Sequence, residues 1–247
     1  MQRVFPVPVD LILSSEETMV GAVRVLKIGL VSSAGVALLL AATVSPARAQ
    51  VDFGLTAGPT IADFSGTYID HSIPTWGFTG GAYVEWHLSS HFSLEAAFGI
   101  SQMGAFEVET PLSDEAYDYR TSNMQIPVAA VYRTGFLGEA WGFRAFAGGA
   151  PVFNTGCDVK PSTQFSFDTE CSAETPGGEI ASSDFLIQFG IGVDRLFKGG
   201  SGVGFDARYS IGTKNLWSEA VDNDLTAKNG VLDIKVRFFI PIEGPRS

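Results

Sequence analysis

Residues 231–240, VLDIKVRFFI, decide the fold because their side chains alternate between two kinds. One side of this stretch is apolar and consists of Leu232, Ile234, Val236 and Phe238. The other side carries the charged residues Asp233, Lys235 and Arg237. A period of two is typical of a β-strand, whereas an amphipathic helix spaces its apolar residues three and four apart. The stretch therefore predicts a strand with one apolar face and one charged face.

The same alternation recurs along the chain after Gln50. It predicts eight strands, at about 51–64, 75–88, 92–106, 119–134, 141–153, 184–197, 202–213 and 228–240. Gln102 falls on the apolar face of the third strand, which predicts a bulge near Gln102 and Met103. Pro127 cannot donate a ladder hydrogen bond, so it predicts a local bulge in the fourth strand, with its ring facing the lumen.

The connections between these strands differ in length at the two ends. Three of them are short, at 89–91, 136–140 and 198–201, and follow strands two, four and six. The other four are long, polar and acidic, at about 65–74, 107–118, 154–183 and 214–227. Outer-membrane barrels have this asymmetry, with long loops outside the cell and short turns in the periplasm. The sequence predicts an all-β, eight-stranded antiparallel up-and-down transmembrane β-barrel in the bacterial outer membrane, with both mature termini periplasmic.

The charged face of the strands predicts what fills the barrel. It carries charges of both signs at Glu85, Glu95, Arg133, Arg144, Asp194, Asp206, Arg208, Asp233, Lys235 and Arg237. An eight-stranded barrel is just wide enough to be filled by side chains, so we expect these charges to pair in the lumen. Two alternatives stay open: a narrow ion path along the charges, and a soluble barrel whose apolar face points inward.

The four tryptophans favour the lipid-facing arrangement. Trp76, Trp86, Trp141 and Trp217 all lie on the apolar face, at or just beyond strand ends. Trp76 and Trp86 are ten residues apart, close to the roughly 9–11 residues that a tilted strand needs to cross a bilayer. We expect Trp86 and Trp141 to form the periplasmic girdle, and Trp76 and Trp217 the outer one.

The N-terminal region reads as a targeting segment. Arg24 and Lys27 precede an apolar run at 28–44, and Ala47-Arg48-Ala49 matches a cleavage site. We expect residues 1–49 to be a signal peptide, with Met19 as the true start, and residues 50–247 to be the barrel domain. The alternative is an uncleaved anchor, since the run has about the minimum length that spans a bilayer.

Charge and cysteine content restrict the partners. The chain holds 16 Lys and Arg against 27 Asp and Glu, without a basic cluster, which argues against a nucleic-acid partner. Cys157 and Cys171 are the only cysteines and both fall in the longest loop. In an oxidising compartment they predict a disulfide, stabilising by about 3 kcal/mol in the chain-entropy model. A metal or redox pair is the weaker alternative, since no histidine lies nearby.

Several functions are compatible with such a barrel. We expect a non-enzymatic monomer with a structural or surface-interaction role through its acidic loops, in contact with outer-membrane lipid, lipopolysaccharide and the barrel-assembly machinery. We expect no metal and no cofactor, although acidic loops can also take up Ca²⁺ or Mg²⁺. A narrow porin-like or transport-associated channel is the second hypothesis. A lipid-modifying enzyme is the third, with His71 as its base, because His87 and His91 fall at the periplasmic end.

Short motifs in the mature chain resemble the PorT-like outer-membrane β-barrel family. They are FGLTAG at 53–58, ADFSG at 62–66, GFTGGAYV at 77–84, SHFSLE at 90–95, GISQMG at 99–104 and MQIPV at 124–128. The resemblance covers most of the mature chain. It implies a small eight-stranded barrel in the bacterial outer membrane, and it implies no particular activity.

Overall fold

The computed structural model describes residues 50–67, 69–110, 113–134, 141–164, 169–171, 180–198, 200–216 and 226–242. The predicted signal peptide, its start at Met19 and the girdle residue Trp217 lie outside the described residues. Within the described ranges, no helix is both long and apolar enough to span a membrane.

The described chain consists of ten β-strands. They are β1 (Gln50–Ser65), β2 (His71–His87), β3 (Phe92–Thr110), β4 (Ser113–Gln125), β5 (Val128–Arg133), β6 (Trp141–Pro161), β7 (Thr169–Glu170), β8 (Ser183–Leu196), β9 (Gly202–Gly212) and β10 (Lys228–Pro241). β4 and β5 are two halves of one strand, because both pair with β3 on one side and β6 on the other. β7 is a two-residue strand that pairs only with β6.

The sheet closes on itself. The first strand, β1, pairs antiparallel with both β2 and the last strand, β10. All other pairs in the ring join strands that follow each other along the chain. With β4 and β5 counted as one strand and β7 set aside, the ring has eight members. The predicted eight-stranded antiparallel up-and-down barrel is confirmed.

The alternation places large apolar side chains on the outside of the ring. Each strand contributes to this apolar band, through residues such as Leu55, Phe78, Phe98, Val128, Phe143, Ile191, Phe205 and Phe238. Ile191 is 67% exposed, whereas the charged residues of the opposite face are buried. This is the polarity that a barrel surrounded by lipid requires.

The two ends of the barrel differ. At one end, here called the turn end, tight hydrogen bonds close the turns, with the Leu88 N–H donating to the Phe92 carbonyl at 2.9 Å and the Phe197 N–H to the Ser201 carbonyl at 2.8 Å. Gly200, with φ of 87°, supplies the left-handed conformation that the second turn needs. Gln50 and Pro241 also lie at this end. The opposite end, here called the loop end, carries the long connections.

Neither predicted bulge occurs where the sequence placed it. β3 keeps its alternation through Gln102, which faces outward and is exposed, while Met103 is buried inside. The irregularity at this level lies in β2, whose register with β3 shifts between Pro74 and Thr79. The partner of this outward glutamine on β4 is the polar Ser122, so two polar side chains lie side by side there.

Pro127 interrupts the strand without adding a residue to it. The β3 register runs unbroken from Gln125 to Val128, so no bulge forms there. The Pro127 carbonyl accepts from the Ala97 N–H at 2.9 Å, and the Ile126 N–H donates to the Pro151 carbonyl at 3.1 Å. The ring is buried inside the barrel, as its position in the alternation predicts.

A bulge that the sequence did not reveal lies in β6. Its register with β4 shifts between Asn154 and Gly156, which leaves Thr155 as an extra residue. Before the bulge Phe153 faces outward and is exposed, whereas after it Val159 is buried inside. The extra residue therefore reverses which face of the strand points inward.

The strands continue well past the apolar band. β3 has 19 residues and β6 has 21, about twice the roughly 9–11 that cross a bilayer. Inside this extension lies an apolar cluster, here called the loop-end core, made of Phe64, Ala105, Val108, Tyr119, Val159, Ile180, Leu216 and Ala227. The loop end thus has the polarity of a water-soluble protein, with its apolar side chains inside.

The apolar band predicts a depth-dependent response to charge. Ile191→Lys should lower the free energy of unfolding by about 2–4 kcal/mol, because it places an ammonium group in hydrocarbon. Glu109→Lys, at an exposed position on the loop end, should change it by less than about 1 kcal/mol. Denaturant titration in lipid vesicles measures both. Equal effects at the two positions would contradict a lipid-facing band.

Candidate functional site

The ten charged residues predicted for the lumen all lie inside the barrel, and all are buried. They come from seven strands: Glu85 from β2, Glu95 from β3, Arg133 from β5, Arg144 from β6, Asp194 from β8, Asp206 and Arg208 from β9, and Asp233, Lys235 and Arg237 from β10. Five are acidic and five are basic, so their formal charges cancel.

Arg237 is the centre of this arrangement. Its guanidinium contacts four carboxylates: Glu85 at 3.2 Å, Asp194 at 3.4 Å, Asp206 at 3.5 Å and Glu95 at 3.5 Å. The group also lies over the Tyr83 ring, 4.4 Å from its centroid. Because Arg237 is only 2% exposed, these contacts replace the water that the guanidinium would otherwise bind.

Three further arginines complete the set around the same carboxylates. Arg133 contacts Glu85 at 2.7 Å and Asp194 at 3.3 Å. Glu95 lies between Arg144, at 2.7 Å, and Arg208, at 3.0 Å. These four arginines and four carboxylates, here called the charge cluster, form one connected network. Burial of so many charges is tolerated because each has partners of opposite sign.

The structure does not bring all ten residues into that network. Lys235 and Asp233, two residues apart on β10, form a separate pair at 3.0 Å. Two polar contacts nearer the turn end were missed by the sequence reasoning: Asp52, 1% exposed, with His87 at 2.9 Å, and a hydrogen bond from the Ser93 hydroxyl to Glu85. Asp52 lies on the inward face of β1, so the alternation alone carried a signal for it.

Between the charge cluster and the loop-end core lie a polar layer and then an apolar one. The buried side chains of the polar layer include Thr60, Thr79, Ser101, Gln125, Gln188 and Ser210, beside the Lys235–Asp233 pair. The apolar layer lies one inward position nearer the loop end and consists of Ala62, Met103, Ala150, Val152, Leu186 and Val231. A cavity of about 20 Å³ lies beside Tyr83, Gln125 and Arg237, and another of about 20 Å³ lies below Leu216. Each holds about one water molecule. At these two places, side chains leave little free space.

The loop-end core covers these two layers. The Phe64 and Tyr119 rings lie 6.0 Å apart at its centre, and Cys157 and Cys171 pack against it. The two cysteines form a disulfide, which confirms the sequence prediction. The sequence did not lead us to predict the loop-end core. The alternation contained a signal for it, since Phe64 occupies the same inward face of β1 as Asp52 and Thr60.

Asp118 holds the loop-end strands together from β4. Its carboxylate accepts from the Lys160 ammonium at 2.7 Å, the Ser162 hydroxyl at 2.7 Å and the Glu107 backbone N–H at 2.9 Å. Glu107 has φ of 48°, an uncommon value for a residue other than glycine, at the point where the β3 register shifts. Burial raises the pKa of Asp118, but these hydrogen bonds outweigh it and leave the pKa lowered.

The predicted girdle residues that the structure describes face outward. Trp86 and Trp141 lie at the turn end, and the Arg195 guanidinium lies 5.2 Å from the Trp141 ring centroid. Trp76 lies on β2 nearer the loop end and is 68% exposed.

Among the described residues, the histidines are not placed as a hydrolytic site. His71, the candidate base, is exposed on β2 opposite Glu109, and its neighbour Ser72 donates to Asp63 instead. His91 lies 2.8 Å from the Ser90 hydroxyl in a turn. In the described part of the chain, no histidine bridges a serine and a carboxylate, and no group of three or more His, Cys, Asp or Glu is placed to hold a metal.

A closed ring, an apolar exterior and a paired charged interior define an outer-membrane β-barrel. The chain belongs to the outer membrane protein β-barrel domain family, whose model matches residues 45–217. This match confirms the predicted kind of family, outer-membrane β-barrels, but not the PorT-like name. It supports a location in the bacterial outer membrane. No curated protein sequence matches the chain.

Solved structures of other small barrels are similar to this chain at low sequence identity. OprG from Pseudomonas aeruginosa shares 13% identity with a TM-score of 0.45, over 78% of this chain and 97% of that one. Ail from Yersinia pestis, solved with the heparin analogue sucrose octasulfate, shares 12% with a TM-score of 0.40, over 77% and 99%. The outer membrane enzyme PagL shares 16% with a TM-score of 0.36, over 76% and 99%.

The charge cluster predicts a large effect from loss of its central arginine. Arg237→Met should destabilise the barrel by about 3–5 kcal/mol, because four buried carboxylates are then left with only three arginines to balance their charge. Arg195→Met removes an exposed arginine from the outer wall and should cost about 1 kcal/mol or less. Urea unfolding in vesicles measures the difference. Similar losses of unfolding free energy in the two variants would show that the charge cluster does not cause the destabilisation.

Asp118 predicts a pH-dependent contribution to stability. Its folded-state pKa is lowered, so the contribution is complete above the ordinary aspartate range and is lost as pH falls through the folded pKa. Asp118→Asn should therefore reduce stability by about 1 kcal/mol at neutral pH, and the difference should vanish in acid. Asp158→Asn, at an exposed position on β6, is the matched control. A pH-independent difference would refute this origin.

Proposed function

We propose that this protein is a non-enzymatic outer-membrane barrel with a closed lumen, which holds its loop end outside the cell as a structural or surface-interaction platform. The observation that carries the proposal is the loop-end core, which covers a polar interior already filled by the charge cluster. In this reading the barrel is an anchor, and its exposed end performs the function.

Two features support a closed lumen. An eight-stranded ring leaves an interior only wide enough for side chains, and the cavities beside Arg237 and below Leu216 each hold about one water. An ion passing along the axis would have to separate the paired charges and then cross the apolar loop-end core. Both steps carry a high electrostatic or desolvation cost.

The loop end has the construction of a rigid display surface. Extended strands, the Cys157–Cys171 disulfide and the hydrogen bonds of Asp118 hold its backbone in place. The outer side of this extension is acidic, with exposed carboxylates at Glu107, Glu109, Glu115, Asp158 and Glu170. A partner with a cationic surface would complement this charge.

The orientation and the partners are part of the same proposal. In outer-membrane barrels the short turns face the periplasm and the long loops face the outside of the cell, so Gln50 would lie at the periplasmic end. The apolar band would contact membrane lipid, including lipopolysaccharide in the outer leaflet, after insertion by the barrel-assembly machinery. The barrel would act as a monomer, since each of the eight strands of its ring, as far as the structure describes them, pairs with a neighbour on both sides.

Cysteine labelling in cells and bilayer recording test the proposal together. The two native cysteines are disulfide-bonded, so a new thiol is the sole target of a membrane-impermeant maleimide. Glu109→Cys, at the loop end, should react on intact cells, and Lys198→Cys, at the turn end, only after permeabilisation. In planar bilayers the unaltered protein should give no steady conductance.

Three outcomes would overturn the proposal. Labelling of Lys198→Cys on intact cells would reverse the orientation. A reproducible single-channel current would favour the channel hypothesis. Hydrolysis of membrane lipid by the purified protein, lost in His71→Ala, would favour the enzyme hypothesis.

A further inference from the structure

The outer wall of the barrel carries a large groove across β10, β1, β2 and β3. Its volume is about 640 Å³, and it is open to the surroundings of the apolar band. Ala57, Gly80 and Ala82 form its floor, and Phe78, Phe98, Ile100 and Phe238 stand around it. The charge cluster lies on the other side of this wall, so the groove has no part in the closed lumen.

The groove arises from the register of the strands. Ala57 of β1 lies opposite Gly80 of β2, and Ala82 is the next outward position on β2. Three adjacent outward positions are therefore small. Their neighbours in the same rows are large, with Ile100 opposite Gly80 and Phe98 opposite Ala82. An open depression floored by backbone and methyl groups results.

We propose that this groove binds one acyl chain of a membrane lipid. It lies within the apolar band, and its volume falls in the range of about 300–1,000 Å³ that small-molecule sites occupy. In hydrocarbon no hydrophobic effect separates one apolar surface from another, so van der Waals packing decides where a chain stays. A chain in the groove contacts both its floor and the flanking side chains, whereas a chain on the convex wall contacts only the outermost side chains.

A second copy of the barrel fits this groove less well. Small residues allow close approach between membrane segments only where both surfaces can meet. Here Phe78, Phe98, Ile100 and Phe238, each at least half exposed, project around the floor. The Phe78 ring lies against the outward side of Gly80, which leaves Ala57 and Ala82 as the open part of the floor. The outer wall of another barrel is convex and bears similarly large side chains, so it cannot reach these two residues. A flexible chain one methylene wide can.

Tryptophan fluorescence quenching tests the proposal at the groove itself. Trp76 is exposed on the same face of β2 as Phe78, two residues away, and so reports on the loop-end side of the groove. With Trp86, Trp141 and Trp217 replaced by phenylalanine, it is the sole tryptophan. Phosphatidylcholine with dibrominated acyl chains is titrated into the protein in dodecyl maltoside. We expect saturable quenching of Trp76, at a lower lipid fraction than quenching of a protein that retains only Trp141.

Groove-filling variants make the assignment specific. Ala57→Leu and Ala82→Leu each fill the floor from a different strand, so failure of one to fold leaves the other informative. Both should shift the quenching midpoint to higher lipid or abolish saturation. Ala207→Leu adds the same side chain at an exposed position on β9 and should leave the midpoint unchanged.

Two results would contradict the proposal. Identical quenching curves in Ala57→Leu, Ala82→Leu and Ala207→Leu would overturn the proposal. So would light scattering that shows a dimer abolished by Ala57→Leu, because a second copy would then occupy the groove. Neither result depends on the conductance or orientation of the barrel, so the groove and the proposed function can fail separately.

Discussion

Hydrocarbon offers no water to a backbone amide, so the pairing of β1 with both β2 and β10 is the interaction on which everything else depends. Closure satisfies the ladder on every strand and fixes an inside and an outside. Eight strands then set a narrow bore, which leaves no room for bulk solvent. Any charge on the inner face must find a partner there, and Arg237 with its four carboxylates shows how far that requirement is met.

The interior changes character along the barrel axis. Ion pairs predominate toward the turn end, hydroxyl and amide groups in the middle, and apolar side chains toward the loop end. The gradient follows the surroundings. Where lipid is outside, apolar residues are needed on the outer wall and the inner face is left to polar ones. Where the strands extend beyond the apolar band, water is outside and a conventional core becomes possible.

Much of this could be predicted from the sequence because period-two alternation is a local signal. The strands, the inward position of all ten charged residues and the disulfide required only spacing and composition. The pairing within the charge cluster did not follow, because it depends on which of several neighbours in the ring each long side chain reaches. The bulges were misplaced for a related reason. A bulge at Thr155 is a relation between β4 and β6, and residues distant in sequence decide it.

The extra residue in β6, Thr155, lets one strand have different alternations in lipid and in water. On one side of Thr155 the outer face of β6 is turned to lipid, and on the other side it is turned to water. Because the reversal is made at one point, the membrane part of β6 keeps its own register whatever the alternation of the part beyond the apolar band.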